Sequence, residues 1–375
     1  MRLAIAGCGW VTPMGSSVRQ VWQRLLAGES AQAESIATDL SDRAYPVFRV
    51  PAEAGSGPPA HARLRRSSAI SRFAAGAGMA ALEDAGLTIG PGNAARIALI
   101  FATSNGGVIY TKRFYHDIVA TGAEAASPLL FPETVFNAPA SHLAAILGIS
   151  GTTYTLVGDG AVGLLALQVA TDLMRTDGVD YCLVVAAEEA DWLLCDAYRN
   201  WRLLRDAPPI EPFRSPRGMI LSEGAGAMLL AREGPVLLEK IVSGKNFQSQ
   251  GDAAAVVSSA FEQVGGGTID AVVTSANGTF IDAAEQRAVM EHCPTAAIYA
   301  PKPALGEGVS AATMWQMICA VEILLTNQIP PVLHGPPKLA ERRKLAADSP
   351  GSNSVIVSAC GLNQQTAAAR LTLAR

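Results

Sequence analysis

Thr152 to Glu189, TTYTLVGDGAVGLLALQVATDLMRTDGVDYCLVVAAEE, constrains this chain's fold more than any other stretch. Thr152 to Val157 is β-branched and apolar, Ala161 to Met174 is apolar on nearly every face, and Tyr181 to Ala187 is a second apolar run. Runs of the first and third kind favour strands. A helix with no polar face has to be buried, so the stretch predicts an inner βαβ unit. Gly158-Asp159-Gly160 turns strand into helix. Many α/β enzymes place a nucleophile at such a turn, because a helix N-terminus lowers a thiol's pKa and stabilises an oxyanion. This turn carries none.

The 375 residues are 49% hydrophobic and only 17% charged, enough for a sizeable core in one large domain or two. A net charge of −4 without a basic run argues against a nucleic-acid surface. Six cysteines lie far apart and form no CxxC pair, which predicts buried, reduced thiols; no metal or cofactor is expected. The N-terminus enters a strand without a long apolar lead, and no run reaches membrane-span length. The expectation is a cytoplasmic protein with no membrane contact.

Along the chain, Leu3 to Gly7 predicts a strand that ends in a turn. Gly7 and Gly9 begin a dinucleotide-type pattern, but the third glycine is missing and Pro13 sits where the helix should start. Val18–Leu26 and Ser71–Ala85 predict helices, Gln32–Gly57 a loop, and Ile97–Ala102 a strand. Val108–Ala120 predicts a helix rich in apolar and aromatic residues that faces either the core or a partner or ligand channel. Trp192–Pro209 reads as irregular, with Trp192 and Trp201 packing inside. The pattern restarts after Glu233-Gly234-Pro235, dividing the chain at 1–234 and 235–375. A second turn, Gly306-Glu307-Gly308, precedes a second long apolar helix. One such turn and helix per half implies an internal duplication with both helix N-termini pointing towards one site.

Five collinear stretches resemble the β-ketoacyl synthases of the thiolase superfamily. They are GCGWVTPMGSSVRQVWQRLLAGES, RFAAGAGMAALEDAGL, NAPASHLAAILGI, PFRSPRGMILSEGAGAMLLARE and PKPALGEGVSAATMWQMICAVEILLTNQIPP. The resemblance implies an α/β thiolase-like fold, two duplicated βαβ-rich halves in a layered α-β-α-β-α core. It also implies a catalytic Cys and two His. The nucleophile of the family's T-A-C-x-x-G motif falls on Gly160. The His of A-H-G-T falls on Asn277, and the His of K-x-x-x-G-H falls on Glu307, with Lys302 retained. The Gly-rich C-terminal motif is eroded to Ser358-Ala359-Cys360-Gly361-Leu362-Asn363.

Gly160 cannot carry an acyl thioester, Asn277 cannot exchange a proton near neutral pH, and a carboxylate at Glu307 would repel a malonyl-type extender. The five histidines lie outside these motifs. A degenerate site of this kind resembles the chain length factor of type II polyketide or aryl-polyene systems, although Gly at the nucleophile position departs from the more usual Gln. The resemblance implies an inactive partner that forms a heterodimer with an active ketosynthase, meets acyl carrier protein through that complex and shapes the acyl channel. Val108, Ile109, Phe114, Phe131 and Phe136 are then the channel or interface candidates; their other reading is core packing. Two alternatives stay open. Asp159 and Glu307 act as an acid and base pair of a hydrolase or decarboxylase, or merely cap their helices, with Glu307 pairing Lys302. Otherwise the chain is a homodimeric acyl-binding scaffold.

Overall fold

The computed structural model describes residues 2–39, 41–55, 61–65, 67–176, 178–214, 216–339, 343–345 and 353–374. Met1, Leu40, Ser56, Gly57, Asp177 and Ser215, which fall within the stretches read above, lie outside the described residues. Ten strands make one continuous sheet: β1 (Leu3–Val11), β2 (Ile97–Thr103), β3 (Thr153–Val157), β4 (Tyr181–Glu188), β5 (Gly224–Ala231), β6 (Val236–Ser243), β7 (Ala271–Val273), β8 (Ala297–Tyr299), β9 (Ser354–Cys360) and β10 (Thr366–Leu373). Their order is β8-β7-β9-β10-β6-β1-β5-β4-β2-β3.

Cut between β6 and β1, the sheet yields two sets with identical topology. In one, β2 runs parallel to both β3 and β4, which is followed by antiparallel β5 and β1. In the other, β7 runs parallel to both β8 and β9, followed by antiparallel β10 and β6. The duplication inferred from the two Gly-acid-Gly turns is present in strand order and direction alike.

The main helices are α1 (Val18–Leu26), α2 (Ala69–Asp84), α3 (Val108–Thr121), α4 (Ala138–Leu147), α5 (Val162–Leu173), α6 (Trp192–Asn200), α7 (Ala253–Val264), α8 (Ile281–His292) and α9 (Ser310–Thr326). Strand periodicity of two assigns side chains to layers. In β2, Ala98, Ile100 and Ala102 face a central core with α5 and α9, while Ile97, Leu99 and Phe101 face α2 and α4. Val272 and Ile356 face α7 and α8 on the opposite outer side. The layers are therefore helix, sheet, helix, sheet, helix. All but three residues of α9 are buried, which explains a helix apolar on every face.

Several expectations need correction. β1 does not turn at Gly7 but continues to Val11, and the turn comes at Thr12–Gly15. Gly7 and Gly9 serve close packing: a Cβ at either would overlap the carbonyl oxygens of Ala81 and Ala77 in α2. The stretch read as loop holds an antiparallel pair, Glu34–Ala37 with Ala44–Phe48, whose pattern Pro46 disguised. The stretch read as irregular opens with α6, capped by Asp191 Oδ1 accepting from Leu193 N at 2.9 Å. Trp192 is buried there, but Trp201 is 59% exposed. The central βαβ unit is not wholly interior: β3 is the edge strand, and Tyr154 and Val157 are each 50% exposed. A β-branched run specifies a strand and not its place in the sheet. No residue of α3 is fully buried, so the core-facing reading of that helix does not hold.

Candidate functional site

Asn277, Lys302 and Glu307 meet in the packed interior; they are 0%, 3% and 1% exposed. Asn277 follows β7, Lys302 opens the short helix Lys302–Leu305, and Glu307 sits in the turn before α9. The Glu307 backbone is fixed on both sides, its N–H donating to Ile220 O at 2.9 Å and its carbonyl accepting from Ser222 N at 3.0 Å. Its carboxylate is fully engaged. Oε2 accepts from Lys302 Nζ and from Asn277 Nδ2, both at 2.7 Å, and Oε1 accepts from Val309 N at 3.0 Å. Val309 has φ of 46°, a left-handed conformation that costs a β-branched residue about 1–3 kcal/mol. The Glu307 bond holds that strained residue at the entrance to α9.

The amide of Asn277 has one consistent orientation. Its Oδ1 accepts from Thr279 Oγ1 at 2.6 Å and Thr279 N at 3.2 Å, leaving Nδ2 to donate to the carboxylate. Asp282, which sequence reasoning missed, braces the same turn. It accepts from Asn277 N at 2.8 Å, Gly278 N at 3.1 Å and Phe213 N at 2.7 Å, and burial pushes its carboxyl up to about 6. Its signal was an acid placed to accept backbone N–H groups just inside a helix start.

Gly160 lies at the other helix N-terminus, buried, with its carbonyl accepting from Thr313 Oγ1 of α9. The two Gly-acid-Gly turns and their helices are thereby joined through one side chain. The Asp159 side chain does not cap its own helix, although its carbonyl accepts from Val162 N at 2.9 Å. Its carboxylate accepts from Leu362 N at 3.0 Å and Asn363 N at 2.7 Å, while its N–H donates to Gln365 Oε1 at 2.8 Å. Among the described residues, Asp159 and Glu307 share no hydrogen-bond partner, so they are not joined there as a coupled acid and base. Cys360, the thiol beside this loop, is buried, and desolvation, with Glu285 and Asp159 nearby, pushes it well above the usual thiol range. It is poorly suited to act as a nucleophile.

The five channel candidates cluster on one side. Val108, Ile109 and Phe114 are half-buried on α3; Phe131 and Phe136 are 53% and 46% exposed on the following segment. The Phe114 and Phe131 rings lie 5.7 Å apart, and Phe136 packs against Gly106. Tyr115, Val119, Leu129 and Val135 are exposed on the same two segments. Among the described residues, no cluster of His, Cys, Asp and Glu could hold a metal, and no helix is long and apolar enough to cross a membrane.

Comparison with known proteins places this geometry in context. The description "Beta-ketoacyl synthase, N-terminal domain" matches residues 1–234, and "Beta-ketoacyl synthase, C-terminal domain" matches 243–335. The 3-oxoacyl-(acyl-carrier-protein) synthase 2 of Vibrio cholerae serotype O1 is 25% identical over 372 residues, covering 89% of this chain and 88% of its own. Among solved structures, the ishigamide ketosynthase/chain length factor superposes with a TM-score of 0.85 at 20% identity, covering 100% of this chain and 99% of that one. A type II PKS acyl-carrier protein in complex with its ketosynthase bound to the hexaketide gives 0.81 at 16%, with 100% and 99% covered.

Proposed function

This chain belongs to the β-ketoacyl synthase family, and from that premise we propose that it is a non-catalytic, chain-length-factor-like subunit. It pairs with an active ketosynthase in the cytoplasm, meets acyl carrier protein through that complex and shapes the acyl channel during type II polyketide, polyene or fatty-acid-type elongation. The observation that carries the reading is the state of the three positions matching the family's catalytic residues. Gly160 has no side chain to acylate, and Glu307 accepts from both Asn277 Nδ2 and Lys302 Nζ, so that Asn277 and Glu307 are buried against each other. Such an arrangement supplies no nucleophile and no proton-exchanging imidazole.

The pairing half of the proposal rests on β3. It is an edge strand without charged residues, and α4 packs against both this strand and the 131–134 turn, whose exposed apolar side chains adjoin those of α3. An uncharged edge strand and an exposed apolar face are sites for strand addition or helix packing, and leaving them uncovered favours self-association. The structural likeness to the ishigamide ketosynthase/chain length factor is in keeping with a two-subunit assembly.

Incubating the chain alone with acyl- and malonyl-loaded carrier protein tests the non-catalytic half. The expected outcome is an unmodified intact mass and no elongated product. Turnover by the chain alone, abolished by Glu307→Gln or Asp159→Asn, would instead make the two carboxylates catalysts.

A further inference from the structure

We propose that Asp159 is a positioning residue that latches the loop from Gly361 to Gln365 across Gly160 and closes that position to an acyl arm. The inference deepens the non-catalytic reading above and rests on it: the subunit lacks a nucleophile and also shuts the place where one would stand.

Three close approaches build the latch. Leu362 N and Asn363 N both donate to the Asp159 carboxylate, and Gln365 Oε1 accepts from Asp159 N; the loop's own hairpin bond, Gly361 N to Gln365 O at 2.8 Å, and Phe247 N donating to Gln364 O at 3.0 Å shape the loop that Asp159 ties across Gly160. Position 361 has to be glycine here, because a Cβ would overlap the Asp159 carboxylate. Position 160 faces the loop directly: the nearest atom that a Cβ there would meet is Gly361 Cα at 3.3 Å. A cavity of about 370 Å³ opens next door. It reaches Gly158 and Asp159 and is bounded by Asn363, Gln364 and Gln365, but Gly160 does not line it. The latched loop separates the two.

Two charge-assisted hydrogen bonds to a carboxylate fix where the tip of the hairpin loop lies, while its base stays held by its own backbone bonds. Their removal should let the loop open and expose position 160 to the cavity. The test uses two readouts on the full-length chain. In Gly160→Cys, iodoacetamide should alkylate the introduced thiol slowly, above the background of the six buried native cysteines. Adding Asp159→Ala should speed that reaction by about tenfold or more. Hydrogen exchange, with no cysteine introduced, should show the Leu362 and Asn363 amides protected in the parent and exchanging about tenfold faster or more in Asp159→Ala.

If Gly160→Cys does not fold, the exchange readout decides alone. Equal exchange of these two amides with and without Asp159, or an introduced thiol that reacts equally fast in both backgrounds, overturns the latch. A loop that opens freely in a chain that makes no product overturns the latch and leaves the non-catalytic reading standing. Elongation by the chain alone overturns that reading whatever the loop does.

Discussion

Lys302 Nζ lies 2.7 Å from Glu307 Oε2, and the two side chains are 4% and 1% exposed. A pair so far from water is costly to break from one side, because the survivor stays charged without its partner. Lys302→Met is expected to destabilise the chain by about 3–5 kcal/mol. In Lys302→Met/Glu307→Gln the loss should fall well short of the sum of the two single losses, by about 0.5–3 kcal/mol. Urea unfolding of the four chains checks this. Strictly additive losses would mean that the two groups do not sense each other.

Buried acids near the site set a pH dependence. Burial pushes the Glu285 carboxyl up to about 7 and that of Asp282 up to about 6, from ordinary values of 4.5 and 3.8. Between those limits the folded chain binds protons that the unfolded chain has released, so stability falls as pH rises. Their contribution is fully present below about pH 4 and is lost as pH passes through 6 and 7. The unfolding midpoint should decline over this window, and Glu285→Gln should flatten the decline. A midpoint that rises across the window in the parent, or an unchanged slope in the variant, would contradict the assignment.

The edge of β3 gives a third expectation. Val157→Asp puts a charge on a half-exposed edge position, and Phe131→Ser trims the exposed apolar 127–137 segment. Each should weaken association with a partner subunit by about tenfold or more while leaving the monomer folded. Analytical ultracentrifugation with matched circular dichroism separates the two effects; unchanged association would place the interface elsewhere.

Gly9 offers a control on the packing of the first half. A Cβ at this position would run into the carbonyl oxygen of Ala77 in α2, so Gly9→Ala should cost about 1–3 kcal/mol through overpacking, measured by thermal unfolding. Neutral behaviour there would mean that α2 lies farther from β1 than the structure has it.

Gly9 also marks where sequence reasoning is blind. A glycine required by a helix crossing a strand looks, in sequence, like a glycine required by a turn, so the pattern ends β1 at Gly7 while the strand runs on to Val11. The repeated units are legible because duplication leaves two matching Gly-acid-Gly turns and two all-apolar helices, and both survive in the strand order. The resemblance to the family's motifs marks the positions Asn277, Lys302 and Glu307, and the Lys302–Glu307 pair belongs to one of the two readings left open for Glu307. What spacing cannot give is the partner of Asp159. Its bonds reach Leu362 and Asn363, 203 and 204 positions away, and no local pattern encodes that contact. Nor can the composition of Thr152–Val157 tell an interior strand from an edge strand.

The most direct test of the central claim is native mass spectrometry of this chain co-expressed with an intact ketosynthase from the same system, followed by an elongation assay on the isolated complex. The account predicts a one-to-one heterodimer that elongates, with every acyl adduct on the ketosynthase and none on this chain. An acyl adduct on this chain, product from this chain alone, or homo-oligomers with no mixed species would contradict it.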